Sequence, residues 1–173
     1  MDEAYPVLLY YKYVPIANPD RFAAEHRGLC QSLGLKGRII VAEEGLNGTV
    51  CGTRESVADY QRYLRQDERF ADVEYKVSAG HVDTFPRLVV RVRPEIVTLK
   101  AGMPLQPDLN NQLSPTEWKR ALEEDPEVVL VDVRNKYESV AGHFRNAIAC
   151  DIENFRDLPD YVETLGHLKE KRV

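Results

Sequence analysis

Between residues 7 and 92 the chain alternates short apolar runs with helical periodicity in one order: strand, helix, strand, strand, helix, strand, with one more strand appended. That order constrains the fold more than any single motif, because consecutive elements must pack on one another through short connections. Val7–Tyr13 is an apolar and aromatic run ended by Pro15, which predicts a strand. Asn18, Pro19 and Asp20 then supply a cap, a first-turn proline and a first-turn acid. Phe22, His26, Leu29, Cys30 and Leu33 fall on one helical face, closed by Gly34. Residues 38–42 and 49–51 predict the second and third strands, with Asn47 and Gly48 as the tight hairpin turn between them. Thr53 caps a second helix that aligns Val57, Tyr60 and Leu64, and residues 73–78 and Leu88–Val92 predict two further strands.

This is the split β-α-β order of a ferredoxin-like domain, an antiparallel sheet with both helices on one face, expected over residues 1–98. Residues 99–112 are rich in Pro, Gly and Asn without periodicity and predict a linker. Ser114, Pro115 and Glu117 then set up a capping box for a new helix. Residues 128–133 are an unbroken apolar, β-branched stretch around Asp132, which suits a parallel strand covered on both faces. Residues 157–168 predict a helix with Leu158, Tyr161, Val162 and Leu165 inward. The expected fold class is α+β, a ferredoxin-like domain followed by the beginning of an α/β domain over residues 113–173. A strand such as 128–133 with incomplete pairing exposes an apolar edge, so this second part is expected to order only within a longer chain or against another copy.

Charge narrows the partners. Residues 1–100 hold fourteen Lys/Arg and fourteen Asp/Glu, and residues 101–173 hold nine against fourteen, so the net −5 lies wholly in the second part. Nucleic acid is then bound, if at all, through a local patch. No apolar run approaches the roughly 18 residues of a membrane span, and no secretory leader is evident, so a cytoplasmic protein is expected. Three dispersed cysteines without a C-x-x-C pair fit free thiols in a reducing compartment and give no metal signature.

Two groups of residues could carry function. Asp132, Arg134, Glu138 and His143 lie where a buried parallel strand ends, the usual place for α/β sites. They could orient a substrate. The structural alternative, which is preferred, pairs Arg134 with a carboxylate such as Glu138, lets Asp132 bond a backbone turn, and lets His143 fix backbone rather than shuttle protons. Arg87, Arg91 and Arg93 alternate with Leu88, Val90 and Val92, which puts the arginines on one face and the apolar residues in the core. With Lys36 and Arg38 they could contact RNA phosphates, or they could simply protect a sheet edge. Tyr10, Tyr11 and Tyr13 could stack on unpaired bases, although core or edge packing is preferred.

The string Asp132, Arg134, Glu138, Gly142, His143, Phe144 and Ala147 resembles the first half of a rhodanese-like domain. Glu44 to Thr49, Phe85 to Leu88, Glu95 to Val97, Leu113 to Pro115 with Trp118, and Asp151 to Tyr161 resemble, in order, one rhodanese-containing family, the bacterial tRNA wobble-uridine hydroxylases. The resemblance implies an acylphosphatase-like N-terminal domain joined to a rhodanese-like one. It implies oxygen-dependent conversion of the wobble uridine to 5-hydroxyuridine, tRNA held at its anticodon region, and no firmly established metal or flavin. Neither DNA nor a membrane is implied as partner. The family's catalytic cysteine belongs to a Cys-Thr-Gly-Gly-Ile-Arg-Cys-type loop, and none of Cys30, Cys51 and Cys150 stands in that position, so that cysteine is expected beyond Val173. Two alternatives stay open: sulfurtransferase chemistry through a persulfide on the same cysteine, and a non-catalytic tRNA-binding module. Acylphosphatase activity is disfavoured, because residues 14–18 lack the arginine-bearing phosphate cradle that it needs.

Overall fold

The computed structural model describes residues 5–99 and 113–171. It divides into two units between Val97 and Thr98. Apart from Leu99, the expected linker lies outside the described residues.

In the first unit, β1 (Val7–Tyr13), α1 (Pro19–Ser32), β2 (Lys36–Ala42), β3 (Gly45–Cys51), α2 (Arg54–Arg65), β4 (Lys76–Ser78) and β5 (Leu88–Val92) form one sheet with two helices. The strand order is β4-β1-β3-β2-β5. β1 pairs antiparallel with β3 and β4, and β3 with β2. β5 pairs parallel with β2, so the appended strand makes the sheet mixed rather than antiparallel. The cause is the connection: residues 79–87 carry the chain from one sheet edge to the other, and it re-enters in the direction of β2.

The caps act as the sequence predicts. The Asn18 side chain accepts from the Arg21 N–H and that of Thr53 from the Ser56 N–H. Both helices bury their apolar stripe on one sheet face. Leu8, Tyr10, Ile39, Val41, Leu46, Val50 and Val90 meet Ala23, Cys30, Val57, Tyr60, Leu64 and Phe70 in a single core. Each fully buried aliphatic or aromatic side chain there contributes about 1.5–3 kcal/mol relative to exposure.

The hairpin turn is not Asn47-Gly48. Ala42 pairs with Gly45, so Glu43 and Glu44 form the two-residue turn, and Asn47 and Gly48 lie within β3. The turn's backbone is held from outside, since the Glu44 and Glu43 carbonyls accept from the Val14 and Ile16 N–H groups, each at 2.9 Å. Gly45 has φ +152°, and its missing Cβ leaves room for the Lys12 carbonyl. Gly48 lies under Tyr10, where a Cβ would collide with the phenol ring. Its glycine is required by a ring, not by a bend.

Strand 73–78 is shorter than expected. Only Lys76–Ser78 pairs, and Val73 is instead drawn into the core behind a single 3₁₀ turn.

The second unit holds α3 (Pro115–Glu124), β6 (Val131–Asp132), α4 (Lys136–Ala141), β7 (Ile148–Ala149) and α5 (Leu158–Thr164). The capping box forms as predicted: Ser114 Oγ accepts from the Glu117 N–H, and Glu117 accepts from the Ser114 N–H. β6 and β7 pair in parallel, but the strand expected over residues 128–133 shrinks to two residues that are only half-buried. With a two-residue partner, nothing among the described residues extends the ladder. The helix expected over 157–168 breaks at Gly166, which opens a separate 3₁₀ turn, and Val162 points outward at 50% exposure.

Candidate functional site

At the end of β6, Arg134 folds back on Asp132. Its Nε donates to Oδ1 at 2.9 Å and its Nη2 to Oδ2 at 2.6 Å, a bidentate pair two residues apart. Nη2 also donates to the Gly142 carbonyl at 2.7 Å, tying the end of α4 to the strand end. The guanidinium beside Asp132 holds its carboxyl down at about 2. Arg134 therefore pairs with Asp132 and not with Glu138, because the fork of its side chain closes on the nearer carboxylate. Glu138 accepts instead from the Asn135 N–H at 3.2 Å and caps α4. His143 bonds the Ser139 carbonyl through Nδ1 at 2.9 Å, the backbone-fixing role preferred from sequence. The Cys150 N–H donates to the Asp132 carbonyl and the Lys136 N–H to the Ile152 carbonyl, so β6, α4 and β7 converge on one loop cluster. This cluster is built to hold backbone in place. The thiol within it, that of Cys150, is buried.

The cysteines are no better suited to attack. Cys30, Cys51 and Cys150 are all buried. Burial pushes the Cys30 thiol up to about 12 and raises the other two. A nucleophilic cysteine needs the opposite environment. Among the described residues no group of three His, Cys, Asp or Glu side chains is placed to hold a metal ion. None of the helices described is long and apolar enough to cross a membrane.

Four arginines of the first unit lie on or beside its strands β2 and β5. Arg38, Arg87, Arg91 and Arg93 are exposed. Arg91 pairs with Ile40, and Arg38 with Val89, across the β2–β5 ladder. By strand parity all four point away from the helices. Val90 is buried and Leu88 packs on the core, as expected, but Val92 remains 37% exposed at the end of the edge strand. Val89, at the centre of the arginine run, interrupts it with an apolar side chain. Lys36 is held back from the others, because its Nζ donates to the Val82 carbonyl at 2.9 Å.

The three tyrosines separate. Tyr10 is in the core, Tyr11 is 50% exposed on the open face, and Tyr13 meets Tyr11 edge-on with ring centroids 6.3 Å apart. Tyr10 and Tyr60 share a hydroxyl–hydroxyl hydrogen bond, and His26 Nε2 meets the Tyr60 hydroxyl at 2.8 Å. Burial pushes His26 down to about 4, so it is neutral near pH 7. His26 is one of the apolar-face positions of the first helix in the sequence, but its partner Tyr60 comes from α2, 34 residues along the chain, and Tyr60 in turn meets Tyr10 of β1. Packing of both helices on one sheet face brings them together.

Comparison with known proteins adds the relatives. Residues 5–96 match the family model described as the UPF0176 acylphosphatase-like domain. A tRNA uridine(34) hydroxylase of Cytophaga hutchinsonii is 47% identical over 171 residues, covering 98% of this chain and 54% of that protein. One from Oceanobacillus iheyensis is 47% identical, covering 99% of this chain and 54% of that protein. A third, from Staphylococcus haemolyticus, is 48% identical and covers 98% and 53%. The chain thus spans about half the length of the curated relatives it matches.

Proposed function

The chain belongs to the UPF0176 family, with an acylphosphatase-like first domain, and on that premise we propose that it serves oxygen-dependent hydroxylation of the wobble uridine of tRNA to 5-hydroxyuridine. The carrying observation is identity near 47% along almost the whole chain to proteins named for that reaction. Molecular oxygen is the proposed co-substrate.

In this reading residues 113–173 are the first half of a rhodanese-like domain, and the catalytic cysteine lies in sequence outside these 173 residues. The burial of Cys30, Cys51 and Cys150 supports that placement. Asp132, Arg134, Glu138 and His143 are positioning residues: the Arg134 bridge from Asp132 to Gly142 holds the loop cluster against which a reactive loop packs. Arg38, Arg87, Arg91 and Arg93, with Lys36 behind them, contact tRNA phosphates. The 173 residues alone bind tRNA without turnover.

The test is a protein of the relatives' full length, given tRNA under air and then without oxygen. Nucleoside analysis of the digested tRNA is expected to show 5-hydroxyuridine only with oxygen present. Thiocyanate from thiosulfate and cyanide, with tRNA left unmodified, would instead establish the sulfurtransferase alternative.

A further inference from the structure

We infer that the helix-free face of the first unit's sheet is a stacking platform for unpaired RNA bases, with Tyr11 as the ring that receives a base and Arg38 and Arg91 as the adjacent phosphate contacts. The inference deepens the tRNA reading and rests on it for the identity of the RNA.

Register fixes the layout of the face. One cross-strand row runs Lys76, Leu9, Thr49, Arg38 and Val89, and the next runs Tyr11, Asn47, Ile40 and Arg91. Adjacent strands lie about 4.8 Å apart, so Tyr11 and Arg91, three intervals apart, sit roughly 14 Å from one another. This strip is met by two segments of the same unit. Residues 79–87 lie over one end, where Lys36 donates to the Val82 carbonyl and the Cys51 thiol meets the Tyr5 and His81 carbonyls at 3.6 Å. Within the second row, between Tyr11 and Arg91, the Asn47 amide donates to the carbonyl of the buried Ile96 at 3.0 Å, while Glu44 accepts from the Ile96 N–H. Leu9 and Tyr11 stay 44% and 50% exposed, and because β4 pairs with Val7–Leu9 only, Tyr11 borders the paired sheet on that side. A half-exposed ring at the border of a sheet is an available apolar surface.

Charge selects the occupant. Arg38, Arg87, Arg91 and Arg93 have no carboxylate in ion-pair range among the described residues. Glu44 and Glu95 act on Tyr13, beside the receiving ring: burial first, and then both carboxylates, raise the Tyr13 hydroxyl, and Glu44 is engaged with the Ile96 N–H. An apolar strip alone would suit a protein. An exposed ring on β1, with the unpaired guanidinium groups of Arg38 and Arg91 two and three strands away to one side, suits a single strand, whose bases stack while its phosphates meet the arginines. A duplex cannot use the ring, because its bases are already stacked. Tyr13, edge-on against Tyr11, limits the freedom of the receiving ring before a base arrives.

The experiment measures fluorescence anisotropy of the 173-residue chain with an anticodon stem-loop RNA and with a blunt duplex of the same stem. The stem-loop is expected to bind at least tenfold tighter. Tyr11→Leu is expected to weaken it about tenfold and Tyr11→Phe to restore it, since a ring without its hydroxyl still stacks. Arg38→Gln with Arg91→Gln is expected to lower the salt slope by about 0.7 per arginine. Tyr63→Leu, equally exposed but on α2, is expected to change nothing. Equal affinity for the duplex, or unchanged affinity in the Tyr11 and arginine variants, overturns the inference. So does a concentration-dependent dimer that Tyr11→Leu dissociates while RNA binding persists. The parent reading fails separately: binding that follows these variants, with no 5-hydroxyuridine from the full-length protein, leaves the platform standing and removes the reaction.

Discussion

Leu8, Ile39 and Val50 of the first unit are 1% exposed or less, whereas Val140, Phe144 and Val162 of the second are 78%, 58% and 50% exposed. Both units are supplied with apolar runs. They differ in what closes over them. β1 is an interior strand under two helices, while β6 has one described neighbour, of two residues. Among the described residues β6 is laddered on one side, by two residues, and residues 128–132 stay only half-buried.

The largest test of that contrast separates the units. Residues 1–97 alone are expected to unfold in one cooperative thermal transition, and residues 98–173 alone to show none. A sharp transition from the second piece, at a concentration where it is monomeric, would erase the difference. Next come matched truncations. Leu8→Ala is expected to cost about 2–5 kcal/mol. Val140→Ala is expected to stay within about 0.5 kcal/mol. Denaturant titration of the two variants measures both, and similar costs would show that Val140 is covered.

Acid gives the finest comparison. His26 is held neutral with its value lowered to about 4, so its contribution is present above about 6.5 and is lost as pH falls toward 4. The loss amounts to about 3 kcal/mol, because the unfolded chain takes up the proton first. The Asp132 carboxyl, held near 2, contributes above the usual carboxylate value of about 3.9 and loses that contribution as pH falls from there toward 2. The first unit is thus expected to lose stability between pH 6.5 and 4, and the Arg134 bridge to survive until lower pH. Far-ultraviolet melts across pH for His26→Gln, and carboxyl titration by NMR for Arg134→Lys, check the two halves. A parent-like slope in the first, or an unmoved Asp132 in the second, breaks the assignment.

Elements whose signals are local were legible in the sequence. Asn18, Thr53 and Ser114 cap the helices that their positions predict, and the element order of the first unit follows from its apolar spacing. The failures involve neighbours that sequence does not show. Gly48 carries a turn signal, yet the space it leaves is taken by Tyr10 from another strand. Arg134 has two acids within four residues, and side-chain reach, not spacing, chooses Asp132. For the candidate surface, alternation places the arginines on one side, but only the β2–β5 register brings Arg38 and Arg91 to one face.

That register also has a consequence for the order of assembly. The β2–β3 hairpin closes across a two-residue turn, whereas Ile39 must wait for Val90, 90 − 39 = 51 residues later. Closing so long a loop is slow compared with forming a hairpin. During synthesis the sheet can gather its first strands early, but its last edge is missing until residue 92 has left the ribosome. A nascent chain can therefore fold most of its core before Arg38 and Arg91 share a face, so the proposed RNA-binding surface is the last part of the domain to be completed.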